Sequence, residues 1–215
     1  MNSRNVPEER ITQRYLWGEF CLLFLGLPLV MALDWLPGHK ILWLGGATLG
    51  CGLWLFRTRE APLAPLRRPG PLPSGLAGRI FVCALVLAAL VLLLEPGRFL
   101  ELPRRRPQLW LLIAVLYPLL SAFPQEVIYR QFFFKRYAPL FSKRSGLVLV
   151  SGLAFAYLHV IYANVPALIL SLAGGLLLAR SYAQHRSLFW VSVEHAAYGL
   201  LVFTLGLGRY FYQGP

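Results

Sequence analysis

Gln125, Glu126 and Arg130, then His159, then Glu194 and His195, are set into otherwise apolar stretches of the C-terminal half of the chain. A carboxylate and two imidazoles in a low-dielectric pocket can bind one water, take its proton and stabilise the oxyanion that its attack creates. The set Glu126, His159 and His195 also has the donor types of a zinc site with an open position for water, and either route ends in hydrolysis. An acid or base at the centre of a membrane helix costs about 2.5–3.5 kcal/mol on the milder insertion scales, so stability alone would replace each group with leucine. Glu126 and Arg130 stand at i and i+4 on one helix face, where the guanidinium can hold the carboxylate ionised. Glu194 and His195 are adjacent and leave their helix about 100° apart, so both reach one cavity only if it lies between them. The structural alternatives are a buried ion pair for Glu126 and Arg130, and interhelical hydrogen bonding for each histidine.

The elements that carry these residues follow from composition. With 57% hydrophobic and 14% charged residues and a mean hydropathy of +0.58, the chain reads as an all-α, polytopic membrane helix bundle. Apolar runs extend over Tyr15 to Trp35, Ile41 to Phe56, Ile80 to Leu94, Leu109 to Phe123, Leu147 to Tyr162, Val165 to Ala179 and Leu188 to Leu207. They predict about seven transmembrane helices, with six to eight allowed because several runs fall short of the ~20 residues that cross a bilayer. Trp17 with Trp35, and Trp43 with Trp54, bracket the first two runs as interfacial aromatics do. One membrane domain is expected: residues 1–108 form N-terminal helices with a Pro/Arg-rich loop at 57–79, and residues 109–215 form the bundle that carries the polar clusters.

The net charge of +12 does not point to nucleic acid, because the basic residues sit in short loops beside apolar spans. Their bias predicts a cytoplasmic N-terminus and a first helix retained as an anchor. Cys21, Cys51 and Cys83 all lie in apolar runs and read as packed thiols, with no disulfide frame or metal knot. Glu19 and Asp34 are expected at the interface, and Phe132, Phe133 and Phe134 as lipid-facing or packing residues. Helical rise then gives depths. Counted from the basic ends at Arg136, Arg144 and Arg186, Glu126 lies roughly 15 Å in, His159 roughly 20 Å and His195 roughly 13 Å. Three counts from one face converge near mid-membrane, so the three residues are expected around one polar cavity.

At these positions the chain resembles the CAAX-protease and bacteriocin-processing family of intramembrane proteases, also called Abi or CPBP. That family carries Glu-Glu-x-x-x-Arg, Phe-x-x-x-His and His-x-x-x-Asn on successive helices. The counterparts here are Gln125-Glu126 with Arg130, Phe155 with His159, and His195 with Gly199, and the resemblance covers roughly Leu109 to Tyr212. It implies Glu126, His159 and His195 as catalytic residues, with Gln125, Arg130, Phe155, Glu194 and Tyr198 in support. Two positions depart from the pattern. The family's water-activating first Glu is Gln125, an amide that cannot accept a proton, and its oxyanion-stabilising Asn is Gly199. A bacterial branch with the Gln-Glu form and a Glu-His-x-x-Tyr-Gly ending is more similar still. In such a variant Glu126 or Glu194 supplies the carboxylate, and Gln125 or Tyr198, at i+3 from His195, donates to the oxyanion.

The resemblance therefore implies an intramembrane endopeptidase, resident in a bacterial cytoplasmic membrane, that cleaves a membrane-associated peptide or protein. The alternatives are a catalytically silent binding, immunity or scaffold member of the family, or a small proton-coupled carrier, since intramembrane Glu and His also mark proton relays. The expected partners are that substrate and the lipid bilayer. The cofactor is open between one divalent metal such as zinc, held by Glu126, His159 and His195, and none.

Overall fold

A computed structural model describes residues 6–58 and 70–212, and every regular element among them is helical. Helix α1 starts at Val6 and has its membrane-length part at Thr12–Ala32. It is followed by α2 (Lys40–Arg57), α3 (Leu76–Leu94), the short α4 (Glu101–Arg105) and the long α5 (Pro107–Arg136). Then come α6 (Arg144–Leu158) with a terminal 3-10 turn at His159–Tyr162, α7 (Val165–His185) and α8 (Leu188–Leu205). Six of these segments are long and apolar enough to cross a membrane: α1, α3, α5, α6 with its turn, α7 and α8. The expected span at α2 is a helix but falls below them in apolarity, because Lys40 and Arg57 close its ends and Gly45, Gly46, Gly50 and Gly52 dilute it.

The surface is apolar and the polar clusters lie inside. Leu22, Leu93, Phe81, Val115 and Leu119 are exposed, whereas Glu126, Arg130 and Glu194 are fully buried. That inversion is what lipid as solvent requires. Helix α5 accommodates Pro118 and Pro124 through wider π-turns at Pro118–Ala122 and Val127–Phe132, since each proline removes a backbone donor. The second of these turns carries Arg130.

Helices α6 and α7 approach closely through small residues, as membrane helices do. A Cβ on Gly175 would meet the Gly152 carbonyl oxygen at 2.9 Å, and one on Gly152 would meet Leu176 Cδ2 at 2.6 Å. At the end of α5, Phe132, Phe133 and Phe134 are all buried; Phe133 packs with Phe20, Phe24 and Tyr137. Glu19, expected at the interface, is tied to this end of α5: Arg136 donates to both its oxygens, at 2.9 and 2.6 Å, and the Tyr137 hydroxyl donates at 3.0 Å.

The Pro/Arg-rich loop ends sooner than the sequence suggests. Gly75, at φ +76°, adopts the left-handed conformation open to glycine and starts α3 at Leu76, so Arg79 belongs to the helix and not to a solvated loop. Residues 59–69 of that loop lie outside the described residues. Helix α7 likewise runs past the predicted Ala179 to His185. Its start is fixed by Asn164, whose side chain accepts from the Ala167 N–H at 2.9 Å.

Candidate active site

The site is built from α5, α6 and α8. Glu126 sits at the last turn before the Val127–Phe132 π-turn of α5 and is fully buried. Its Oε1 accepts a hydrogen bond from His195 Nδ1 of α8 at 2.8 Å, and its Oε2 lies 3.2 Å from Arg130 Nε. The remaining guanidinium nitrogens are also engaged: Nη1 donates to Ser151 Oγ at 3.0 Å and to the Tyr129 carbonyl at 3.1 Å, and Nη2 donates to the Gly175 carbonyl at 3.2 Å. The plane rests over Phe155, 5.1 Å from the ring centroid. A buried cation is tolerated only with this degree of satisfaction. The missing Cβ of Gly175 is part of it, because a methyl group there would also press on Phe155 Cδ1 at 2.9 Å.

His159 follows the last turn of α6, where the helix tightens into its 3-10 turn. Its Nδ1 donates to the Phe155 carbonyl at 2.8 Å. Phe155 packs against both histidines, 4.8 Å from His159 and 5.4 Å from His195 between centroids, so the two rings are no more than about 10 Å apart. Both rings line one cavity of about 250 Å³ together with Tyr117, Ser121, Gln125 and Gly199. In each ring a bond at Nδ1 leaves Nε2 as the nitrogen open to a ligand in that cavity. Gln125 donates from Nε2 to Ser121 Oγ at 2.9 Å, while its Oε1 is buried without a hydrogen-bond partner among the described residues. A second, largely apolar cavity of about 490 Å³, bounded by α1, α2 and α5, meets the first at Ser121, Gln125, His159 and Tyr162.

Two sequence expectations are corrected. Glu194 does not join the site: it is fully buried, accepts from Arg79 Nε at 2.8 Å and from the Tyr198 hydroxyl at 2.8 Å, and Arg79 also donates to Ser181. The 100° offset between adjacent helix positions sends Glu194 towards α3 and His195 towards α5. Tyr198 lines the cavity with its ring, but its hydroxyl is spent on Glu194, which removes it as an oxyanion donor. The zinc set is the second correction. Among the described residues no three His, Cys, Asp or Glu side chains are grouped to hold a metal, and Glu126 is occupied by His195 on one oxygen and Arg130 on the other. Donor sets for zinc need three or four converging ligands, so Glu126, His159 and His195 do not fit one.

Tyr117, Ser171 and Phe211 complete the cavity wall and were not legible as site residues, since each is a single residue in an apolar run with no spacing signal. Gly199 was the one clue, a glycine where the resemblance calls for a polar side chain.

No curated protein and no solved structure matches the chain. Residues 107–201, a segment that contains Gln125, Glu126, Arg130, Phe155, His159, His195 and Gly199, match the family model described as type II CAAX prenyl endopeptidase Rce1-like. Over this segment, which carries every polar residue of the site, the chain is similar to the CAAX-protease family of membrane endopeptidases.

Proposed function

We propose that the chain is an intramembrane endopeptidase that hydrolyses a peptide bond of a membrane-associated protein or peptide with a water activated by histidine. The observation that carries this reading is the pairing of His195 Nδ1 with Glu126 beside a second imidazole, His159, with both rings on one cavity and one shared Phe155. His159 donates Nδ1–H to the Phe155 carbonyl, so its Nε2 carries the lone pair and is the base. It takes a proton from water as the oxygen attacks the scissile carbonyl. His195, with Nδ1–H on Glu126, donates Nε2–H to the oxyanion in its protonated form, and the Glu126 carboxylate balances the charge. The C–N bond then breaks, and the proton held by His159 passes to the leaving amine. Arg130 positions Glu126 without touching the substrate. The apolar cavity of about 490 Å³ that reaches Gln125 and His159 suits the apolar part of the substrate, with the scissile bond at the junction of the two cavities.

Gln125 favours a second reading, a catalytically silent member that binds a membrane partner, because an amide replaces the family's water-activating carboxylate. The two are separated by mass spectrometry of peptides incubated with the full chain in liposomes. The probes are an isoprenylated peptide with a CAAX-type end and an unmodified membrane-anchored peptide. The hydrolase reading expects new termini that Glu126→Gln and His159→Ala abolish. Intact peptides that nonetheless bind the protein would establish the second reading.

A further inference from the structure

Gly199 stands one helical turn after His195, at the position where the resemblance calls for an oxyanion-stabilising Asn, and the structure gives a steric reason for glycine. A Cβ built there would lie 2.2 Å from the Tyr117 hydroxyl oxygen and 2.3 Å from Tyr117 Cε1 and Cζ. The Tyr117 ring is held edge-on to both His195 and Phe203, with centroids 6.1 and 5.5 Å away, so it cannot swing aside without losing both contacts. Any side chain at position 199 therefore displaces Tyr117. The space that the side chain of residue 199 would enter is filled by a phenol from α5.

That phenol has the properties of a donor held in reserve. Tyr117 lines the same cavity as His159, His195 and Gln125, and its hydroxyl has no hydrogen-bond partner among the described residues. The neighbouring hydroxyls are placed differently. Tyr198 is committed to Glu194 and Ser121 accepts from Gln125. Ser171 Oγ is buried without a partner in the same cavity wall, but the three atoms nearest a Cβ at position 199 all belong to Tyr117, so the phenol alone is linked to the glycine there. We propose that Tyr117 is a catalytic residue, the second oxyanion donor beside His195. Its O–H donates to the substrate carbonyl oxygen as that oxygen gains negative charge, and the proton stays on the phenol throughout. Tyr117 and Gly199 thus act as a coupled exchange, with the donor moved from α8 to α5. This assignment rests on the hydrolase reading above.

The test is Tyr117→Phe in the full chain, assayed with a quenched-fluorescent isoprenylated peptide in detergent. The change removes one oxygen and keeps the ring contacts, so melting should match the starting protein. Loss of one oxyanion donor should lower kcat by about 10²–10³-fold with little change in KM. Gly199→Asn alone should also be impaired by collision with Tyr117, whereas Tyr117→Ala combined with Gly199→Asn should recover at least about ten-fold over Tyr117→Ala, one oxyanion donor being worth more than that. Tyr117→Phe with undiminished kcat, or a double variant no faster than Tyr117→Ala, would overturn the assignment while leaving the hydrolase intact. A starting protein that cleaves nothing would instead overturn the hydrolase reading, and this one with it.

Discussion

Glu126 Oε1 receives the Nδ1–H of His195 at 2.8 Å, joining two helices across 69 residues of sequence. With the other carboxylate oxygen facing Arg130 at 3.2 Å, Glu126 is directed away from the cavity, and the imidazole it holds is what reaches the cavity wall. The motif pair Gln125-Glu126 is thereby divided: Gln125 faces the cavity, and Glu126 faces the ion-pair network behind it.

Arg130→Ala should destabilise the protein by about 3–5 kcal/mol, because it leaves the fully buried Glu126 without its compensating charge. Arg130→Lys should recover only part of this, since an ammonium cannot bridge Ser151, Gly175 and Glu126 with one rigid fork. Melting of the three proteins in the same detergent gives the comparison.

Glu126→Gln should lower turnover by about 10⁴-fold, the scale found when an amide replaces the carboxylate that orients a catalytic imidazole. Gln125→Glu should leave turnover intact or raise it, since it places a second base at the cavity wall. The ratio of kcat values for the two single variants is the readout. Equal losses in both would mean that Gln125 is itself an essential donor.

The pair formed by Arg79 and Glu194 should be separable from the chemistry. Arg79→Ala leaves a fully buried carboxylate without its charge partner and with the Tyr198 hydroxyl as its remaining donor. A loss of about 2–3 kcal/mol is expected, below the range for fully buried pairs because Arg79 is partly exposed. Activity per folded molecule should be unchanged, measured by normalising initial rates to the native fraction. A kcat that falls at full stability would draw Glu194 into the site.

Gly175→Ala tests whether close helix approach positions the site. The new methyl group would press on the Gly152 carbonyl and on Phe155, and overpacking of this kind costs about 1–3 kcal/mol. Because Phe155 supports both His159 and His195, turnover should fall together with melting temperature, whereas Gly174→Ala, which meets nothing within 4 Å, should leave melting unchanged.

The helices, and the burial of Glu126, His159 and His195 within them, were legible because lipid imposes a length and a polarity rule on each span. The positions of partners within a layer were harder to read. Helical rise locates a residue along an axis and says nothing of which neighbour it meets across the bundle. Glu194 therefore looked like a site residue until its direction towards Arg79 was visible. Arg79 looked like part of a solvated loop because the left-handed Gly75 that starts its helix cannot be told from the other glycines of that segment. Tyr117 carried no signal of its own, since its placement depends on the absence of a side chain at a residue 82 positions away, Gly199. Of the two cofactor alternatives left open by residue type, the zinc set does not assemble among the described residues, because the carboxylate is committed to Arg130 and His195.

The most direct test of water activation by His159 opposite a carboxylate-held His195 is cleavage of the isoprenylated peptide in heavy-oxygen water, with enzyme in excess over peptide. The account predicts one heavy oxygen in the new carboxyl terminus with the starting protein and none above background with His159→Ala at unchanged melting temperature. Peptide recovered intact from the starting protein, while still binding it and its Glu126→Gln and His159→Ala variants alike, would contradict the account and leave a binding protein in its place.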